Sequence, residues 1–146
     1  MGVAFRTWHH TIPEGVSLEP LDRFVGRDGS LVLEADVVTI DLRLYEMPVL
    51  VPVFELLDVG PGNGTDGPWF DTLQTDGRWT RAGEPLDRRG YNFRQLITQA
   101  DLALADPMVS LKSGSLYRLE IIVHTTPWED LISVHEYTIE RVYSVA

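Results

Sequence analysis

Leu116-Tyr117-Arg118-Leu119-Glu120-Ile121-Ile122-Val123-His124, the loop Thr125-Thr126-Pro127-Trp128-Glu129-Asp130, and the run from Leu131 to Val145 together decide the reading of the fold. In the first part Tyr117, Leu119, Ile121 and Val123 fall at every second position, interleaved with Arg118 and Glu120. A period of two sends alternate side chains to opposite faces of a strand, so one apolar face is set against a core. In the last part Ile132 and Val134 keep one phase, while Tyr137, Ile139, Tyr143 and Val145 keep the other. The pattern predicts two long strands, Leu116–His124 and Leu131–Val145. The change of phase at His135-Glu136 predicts a bulge, because one inserted residue moves every later side chain to the opposite face.

At 146 residues the chain fits one domain, able to bury roughly two-thirds of its unfolded surface. A hydrophobic content of 44% marks a globular rather than a disordered chain. Cysteine is absent, which excludes disulfides, thiolate metal sites and a cysteine nucleophile, and suits a reducing compartment or a particle that does not rely on oxidation. The formal net charge of −10 provides no basic footprint for nucleic acid or an anionic membrane. Lys112 is the only lysine; the other basic residues are arginines, which suit bidentate interface pairing, with codon bias as the plain alternative. The opening Met1-Gly2-Val3-Ala4-Phe5-Arg6 has no apolar run of signal-peptide length, and no later window reaches the length of a membrane span. The expectation is a soluble protein without a signal peptide.

Residues 1–27 read as an extended N-terminal arm. Phe5, Trp8 and Ile12 are scattered among Arg6, His9, His10 and Thr11, and Pro13 and Pro20 interrupt pairing. Proline cannot donate to a ladder, which directs the segment to an edge or a surface. On its own chain it would be a lid; on a neighbour it would be an assembly arm, and part of it is expected outside the compact core. After the turn signal Arg27-Asp28-Gly29, a long strand is predicted over Ser30–Glu46, with a slip near Asp36 that predicts a bulge or corner. Pro48–Leu57 is apolar on both faces, but Pro52 inside it favours an edge strand covered by the arm. The glycine-rich run from Gly60 to Pro68 is a loop, Trp69–Thr75 a short strand, Arg78–Arg89 a second loop, and Tyr91–Ile97 strand again. Thr98–Ala105 is the one predicted helix, with Thr98 and Asp101 as a capping pair. The fold class is therefore all-β, an antiparallel β-sandwich or jelly-roll-like barrel with one short helix: an arm over 1–27 and a single sandwich domain over 28–146.

Candidate sites are few. His9, His10, His124 and His135 are the only imidazoles; a metal centre needs several to converge with a carboxylate, and none is expected. The loop Asp58–Gly67 lacks alternating calcium ligands and the Gly-Lys-Ser/Thr ending of a phosphate loop. No serine sits in a nucleophile elbow, so no catalytic residue, cofactor or metal is assigned. Trp79 and Trp128 lie in or beside loops, where an indole plugs a sandwich end, anchors a protein interface or stacks on a sugar. Arg78, Arg81, Arg88, Arg89 and Arg94 concentrate positive charge on an acidic chain. They are either a solvated loop or one half of a head-to-tail contact between copies. Interface candidates are Phe5, Trp8, Ile12, Arg78, Trp79, Arg81, Arg88, Arg89 and Trp128.

The run Gly26-Arg27-Asp28-Gly29-Ser30-Leu31-Val32-Leu33-Glu34-Ala35-Asp36 leads into a strand. It is followed by Asp76-Gly77-Arg78-Trp79-Thr80, Gly90-Tyr91-Asn92-Phe93 and Tyr117-Arg118-Leu119-Glu120-Ile121. The whole resembles the small all-β proteins of tailed-phage virions: capsid decoration proteins and immunoglobulin-like tail or baseplate modules. That resemblance implies homo-oligomeric assembly, a location in the capsid or tail, and no catalysis. It also implies partners that are other copies and another virion protein, such as the major capsid protein or a tail protein, with neither nucleic acid nor membrane. It transfers no residue roles, because such proteins share architecture more than motifs. The alternative is a carbohydrate-binding module using Trp79 and Trp128.

Overall fold

A computed structural model describes residues 4–13, 17–62, 67–74, 90–105 and 111–141. Its strands are β1 (Ala4–Pro13), β2 (Leu21–Asp22), β3 (Val37–Glu46), β4 (Phe54–Val59), β5 (Trp69–Gln74), β6 (Tyr91–Arg94), β7 (Leu116–Thr125) and β8 (Leu131–Glu140), with one helix, α1 (Gln99–Ala105). β7 and β8 form the expected antiparallel hairpin, in register from Leu116↔Thr138 to Val123↔Leu131. Around it stands a five-stranded sheet in the order β1-β8-β7-β3-β4, faced by a three-stranded sheet in the order β2-β6-β5. The fold is an all-β sandwich.

The core is built by the period-two faces. Ile40, Leu42 and Leu44 of β3 and Leu119, Ile121 and Val123 of β7 are buried together. The smaller sheet and the segment after β2 answer with aromatic rings: Phe24 stacks on Trp69 at 5.5 Å, and Phe93 meets both edge-on at 5.7 and 6.0 Å. Offset and edge-to-face contacts suit the ring quadrupoles. Trp69 Nε1 donates to the carbonyl of Val32 at 2.8 Å. The buried Asn92 amide donates to the carbonyls of Phe24 and Val32 and accepts from the Phe24 N–H. These bonds satisfy the irregular backbone that carries Phe24 and Val32 through the interior.

The turn at Arg27-Asp28-Gly29 forms as expected. Gly29 takes φ +82, and Asp28 accepts from the N–H and hydroxyl of Ser30. Helix α1 carries the expected reciprocal cap, Thr98 N–H to Asp101 and Asp101 N–H to Thr98, at 2.9 and 3.0 Å. The slip near Asp36 is a single 3-10 turn, Glu34–Asp36, followed by a register shift between Val37 and Thr39, so strand pairing starts at Val37 instead of Ser30. Among the described residues no helix is long and apolar enough to cross a membrane.

Three expectations are corrected. The phase change at His135-Glu136 is not a bulge, since the β7–β8 register is unbroken through it. Instead the inward face of β8 runs Leu131, Ser133, His135, Tyr137, Ile139, all buried, with two polar residues in the core-facing row. In the run expected as a strand over Pro48–Leu57, pairing begins only at Phe54. Val49, Leu50 and Val51 stand exposed in the turn, after a cis Met47–Pro48 peptide. β1 does not cover that run, because β1 and β4 lie at opposite edges of the large sheet.

The third correction concerns the N-terminal segment. β1 pairs in parallel along the whole of β8, from Ala4↔Leu131 to Pro13↔Glu140. Leu18 bridges to Ile97, and Ile12, Leu18 and Phe24 belong to the core. Ile12, Leu18 and Phe24, read as residues of an arm, thus pack in the core of their own chain. The edge position resolves the proline argument: Pro13 ends β1, and the N–H groups on its free side need no partner within the sheet.

Candidate functional site

Polar side chains meet between the sheets where β1, β2 and β8 converge. Asp22, at the end of β2, reaches across to the inward face of β8. Its Oδ2 accepts a very short hydrogen bond from Ser133 Oγ and lies 2.8 Å from His135 Nε2. Its Oδ1 accepts from Trp8 Nε1 of β1 at 3.3 Å. The far ring nitrogen of His135, Nδ1, lies 2.9 Å from His10 Nε2. The two imidazoles are nearly parallel, with centroids 5.1 Å apart, and Tyr137 stacks on His10 at 4.9 Å. Asp22 and His135 are each 1% exposed, whereas His10 is only half-buried. The hydroxyl of Tyr137 is buried without a hydrogen-bond partner.

Electrostatics follow from this packing. Burial alone would raise the Asp22 carboxyl, but the hydrogen bond and attraction of His135, with the bonds from Ser133 and Trp8, outweigh it and hold the group below the usual carboxylate range. Asp22 is therefore an anion in the core, neutralised by donors rather than by solvent. Burial, and then the proximity of that anion, push the Tyr137 phenol far up, so it stays a neutral hydroxyl.

Serine, histidine and aspartate are the residue types of an acyl-transfer triad, but their order here is different. In such a triad the imidazole lies between carboxylate and hydroxyl, and takes the hydroxyl proton. Here the carboxylate lies between the other two, so Ser133 donates to Asp22 and no imidazole activates its oxygen. What the arrangement does is hold one negative charge and a short chain of exchangeable protons from Asp22 through His135 to the half-buried His10.

A second histidine is clamped on the outward side of the large sheet. His124 of β7 has Nε2 at 2.9 Å from Asp41 of β3 and Nδ1 at 2.9 Å from Asp130 in the β7–β8 loop. Asp41 also accepts the N–H of Asp58, a non-glycine residue at φ +55. The hydrogen bond to Asp41 is the main cause raising the His124 imidazole; burial opposes it, and Asp130 adds to it. The Asp58 N–H is the main cause lowering Asp41, against burial and with help from His124. The signs define a window. His124, raised, contributes stability that is complete below its unfolded value of 6.5 and is lost as pH rises through its folded value. Asp41, lowered, contributes above 3.8 and loses that contribution as pH falls through its folded value. The clamp is partly exposed, so screening limits it to about 1 kcal/mol. The stability difference between the protein and its His124→Gln variant, from urea titrations, is expected to be largest between those two pH values and to shrink toward pH 9. A difference that grows with pH would refute the clamp.

The residues singled out in the sequence are not brought to one place. Trp8 donates to Asp22, and Ile12 lies in the core. Trp128 is half-buried and packs against the core, and its ring lies so close over Gly26 that any Cβ there would run into it. Its N–H and carbonyl are tied to the Thr125 hydroxyl. Phe5 lies in β1; its side chain, and all of Arg78, Trp79, Arg81, Arg88 and Arg89, fall outside the described residues. Among the described residues no group of three or more histidines and carboxylates is placed to hold a metal ion.

Compared with protein-family models and with curated proteins, the sequence matches none. Sequence reasoning missed Asp22, Ser133 and the pairing of His10 with His135. The one available signal was the phase change at His135, which marks a polar residue on the core row rather than an inserted one.

Proposed function

We propose that the chain is a non-enzymatic structural protein of a virion, of the small all-β kind found in tailed phages, which joins assemblies through contacts with its own copies and with another particle protein. The observation that supports this is the turn between β3 and β4. No charged residue occurs between Glu46 and Glu55, and the turn presents Val49, Leu50 and Val51 to solvent, Leu50 being 79% exposed. Leu116, also exposed, adjoins it through the bond from Met47 N–H to the Leu116 carbonyl. The tip is ordered in advance. Val49 N–H bonds to Glu46 and Val53 N–H to Leu44, and Pro48 and Pro52 restrict the backbone on both sides.

An apolar tip costs solubility and contributes nothing to its own core, so its value lies in a partner. Covering three such side chains contributes on the order of 5 kcal/mol before ordering costs, and a tip already ordered loses less on binding. That is an anchor, not a whole interface, and it suits a component held at many points of a large assembly. A sugar-binding role would use Trp79, which lies outside the described residues, and Trp128, one face of which is spent against Gly26 and the core.

The test is light scattering of the purified chain over a concentration series. Self-association is expected in the native protein, and Leu50→Asp should leave it monomeric with its unfolding midpoint unchanged, since exposed substitutions shift stability by only about 0.5 kcal/mol. A native chain that stays monomeric throughout, or a variant that assembles equally well, overturns the reading. So does a glycan-dependent fluorescence change abolished by Trp128→Ala.

A further inference from the structure

The histidine pair that links β1 to β8 can hold only a limited number of protons, and the limit is set by geometry. His10 Nε2 and His135 Nδ1 face each other at 2.9 Å, so one hydrogen lies between them. With both rings neutral, His135 donates through Nε2 to Asp22 and accepts through Nδ1 from His10. One added proton is accommodated: His10 becomes imidazolium and still donates, and the Asp22 anion balances its charge. A second proton has nowhere to go. It would put a hydrogen on His135 Nδ1, directly against the hydrogen on His10 Nε2.

Among the contacts of described residues, the titratable groups that meet the pair are Asp22 of β2 and Tyr137 of β8, and Tyr137 is a neutral hydroxyl. His9 and Glu136 pair with each other on the opposite face of the sheet. β1 is also the element best placed to leave: it is an edge strand, and its only described strand partner is β8.

We propose that β1 is an acid-released strand, held on β8 while the His10–His135 pair carries at most one extra proton and let go when both rings are protonated. Release exposes the β8 edge as a template for strand pairing and leaves the hairpin β7–β8 and the rest of the sandwich in place. The device is independent of the assembly role proposed above.

The size of the effect follows from one proton taken up on release. A free imidazole titrates near pH 6.5. Lowering the pH from 7.5 to 5.0 should therefore raise the opening equilibrium of β1 about thirtyfold. Hydrogen–deuterium exchange with mass spectrometry reads this on peptides from 4–13, with peptides from 116–125 as the internal reference and intrinsic rates corrected for pH. The expected result is that β1 loses protection about thirtyfold relative to β7 in the native chain. In His10→Gln, whose amide does not titrate and can turn its oxygen to accept from a protonated His135 Nδ1, that pH dependence should vanish. Equal protection of β1 at both pH values, loss of protection by β1 and β7 together, or the same loss in His10→Gln each overturns the proposal. Imidazole nitrogen NMR on the native chain gives a reading that needs no variant. The second protonation of the pair should coincide with β1 release, and two imidazolium rings with β1 still protected would overturn it.

Discussion

Replacing Asp22 by alanine should cost about 3–5 kcal/mol of folding stability, the range for breaking a buried charged network by removing one partner. The carboxylate receives Ser133, His135 and Trp8, and Ser133 and His135 are themselves buried. Removing it leaves the buried Ser133 and His135 donors without that acceptor, and a buried unsatisfied group costs about 1–3 kcal/mol by itself. Asp22→Asn should cost less, because the amide oxygen still accepts while the charge is lost. Ser133→Ala should cost least, since it removes one donor and leaves the carboxylate with the other two. Urea unfolding at pH 7 measures the series. A cost below about 1 kcal/mol for Asp22→Ala would show that the network does not hold the sheets together.

Trp69→Ala should be comparably severe, at about 3–5 kcal/mol for a large aromatic side chain removed from a packed core. The ring is wholly buried between Phe24 and Phe93, and its indole N–H bonds to Val32. For a chain of this size the loss corresponds to a fall of roughly 10–15 °C in the thermal midpoint. Trp69→Phe separates the two contributions. It keeps most of the apolar ring and loses the donor, but the Val32 carbonyl retains its bond from Asn92. Its expected cost is therefore about 1–2 kcal/mol. If Trp69→Phe were as damaging as Trp69→Ala, the hydrogen bond rather than the packing would be the dominant contribution.

Local pattern determined a good deal of this protein. The alternation of Tyr117, Leu119, Ile121 and Val123 placed β7 and its buried face, because a strand's two faces are fixed by position along the chain and need no partner to be read. Asp28-Gly29 and Thr98 with Asp101 placed a turn and a helix start for the same reason: their bonds close within four residues. The all-β class follows from such runs taken together.

What the tertiary structure alone decided lies where the chain returns to itself after a long detour. His10 and His135 are 125 positions apart, and Asp22 and Ser133 are 111 apart. Hydropathy assigns a polar residue to the outside, so Ser133 and His135 read as a break in phase; distant partners, Asp22 for both and His10 for His135, make their inward positions tolerable. The same holds for β1. Its histidines and tryptophan look like the irregular spacing of an arm until β8, Asp22 and Tyr137 are set beside them. Burial of a polar group is a property of its partners, and those partners are chosen by the fold rather than by neighbours in sequence.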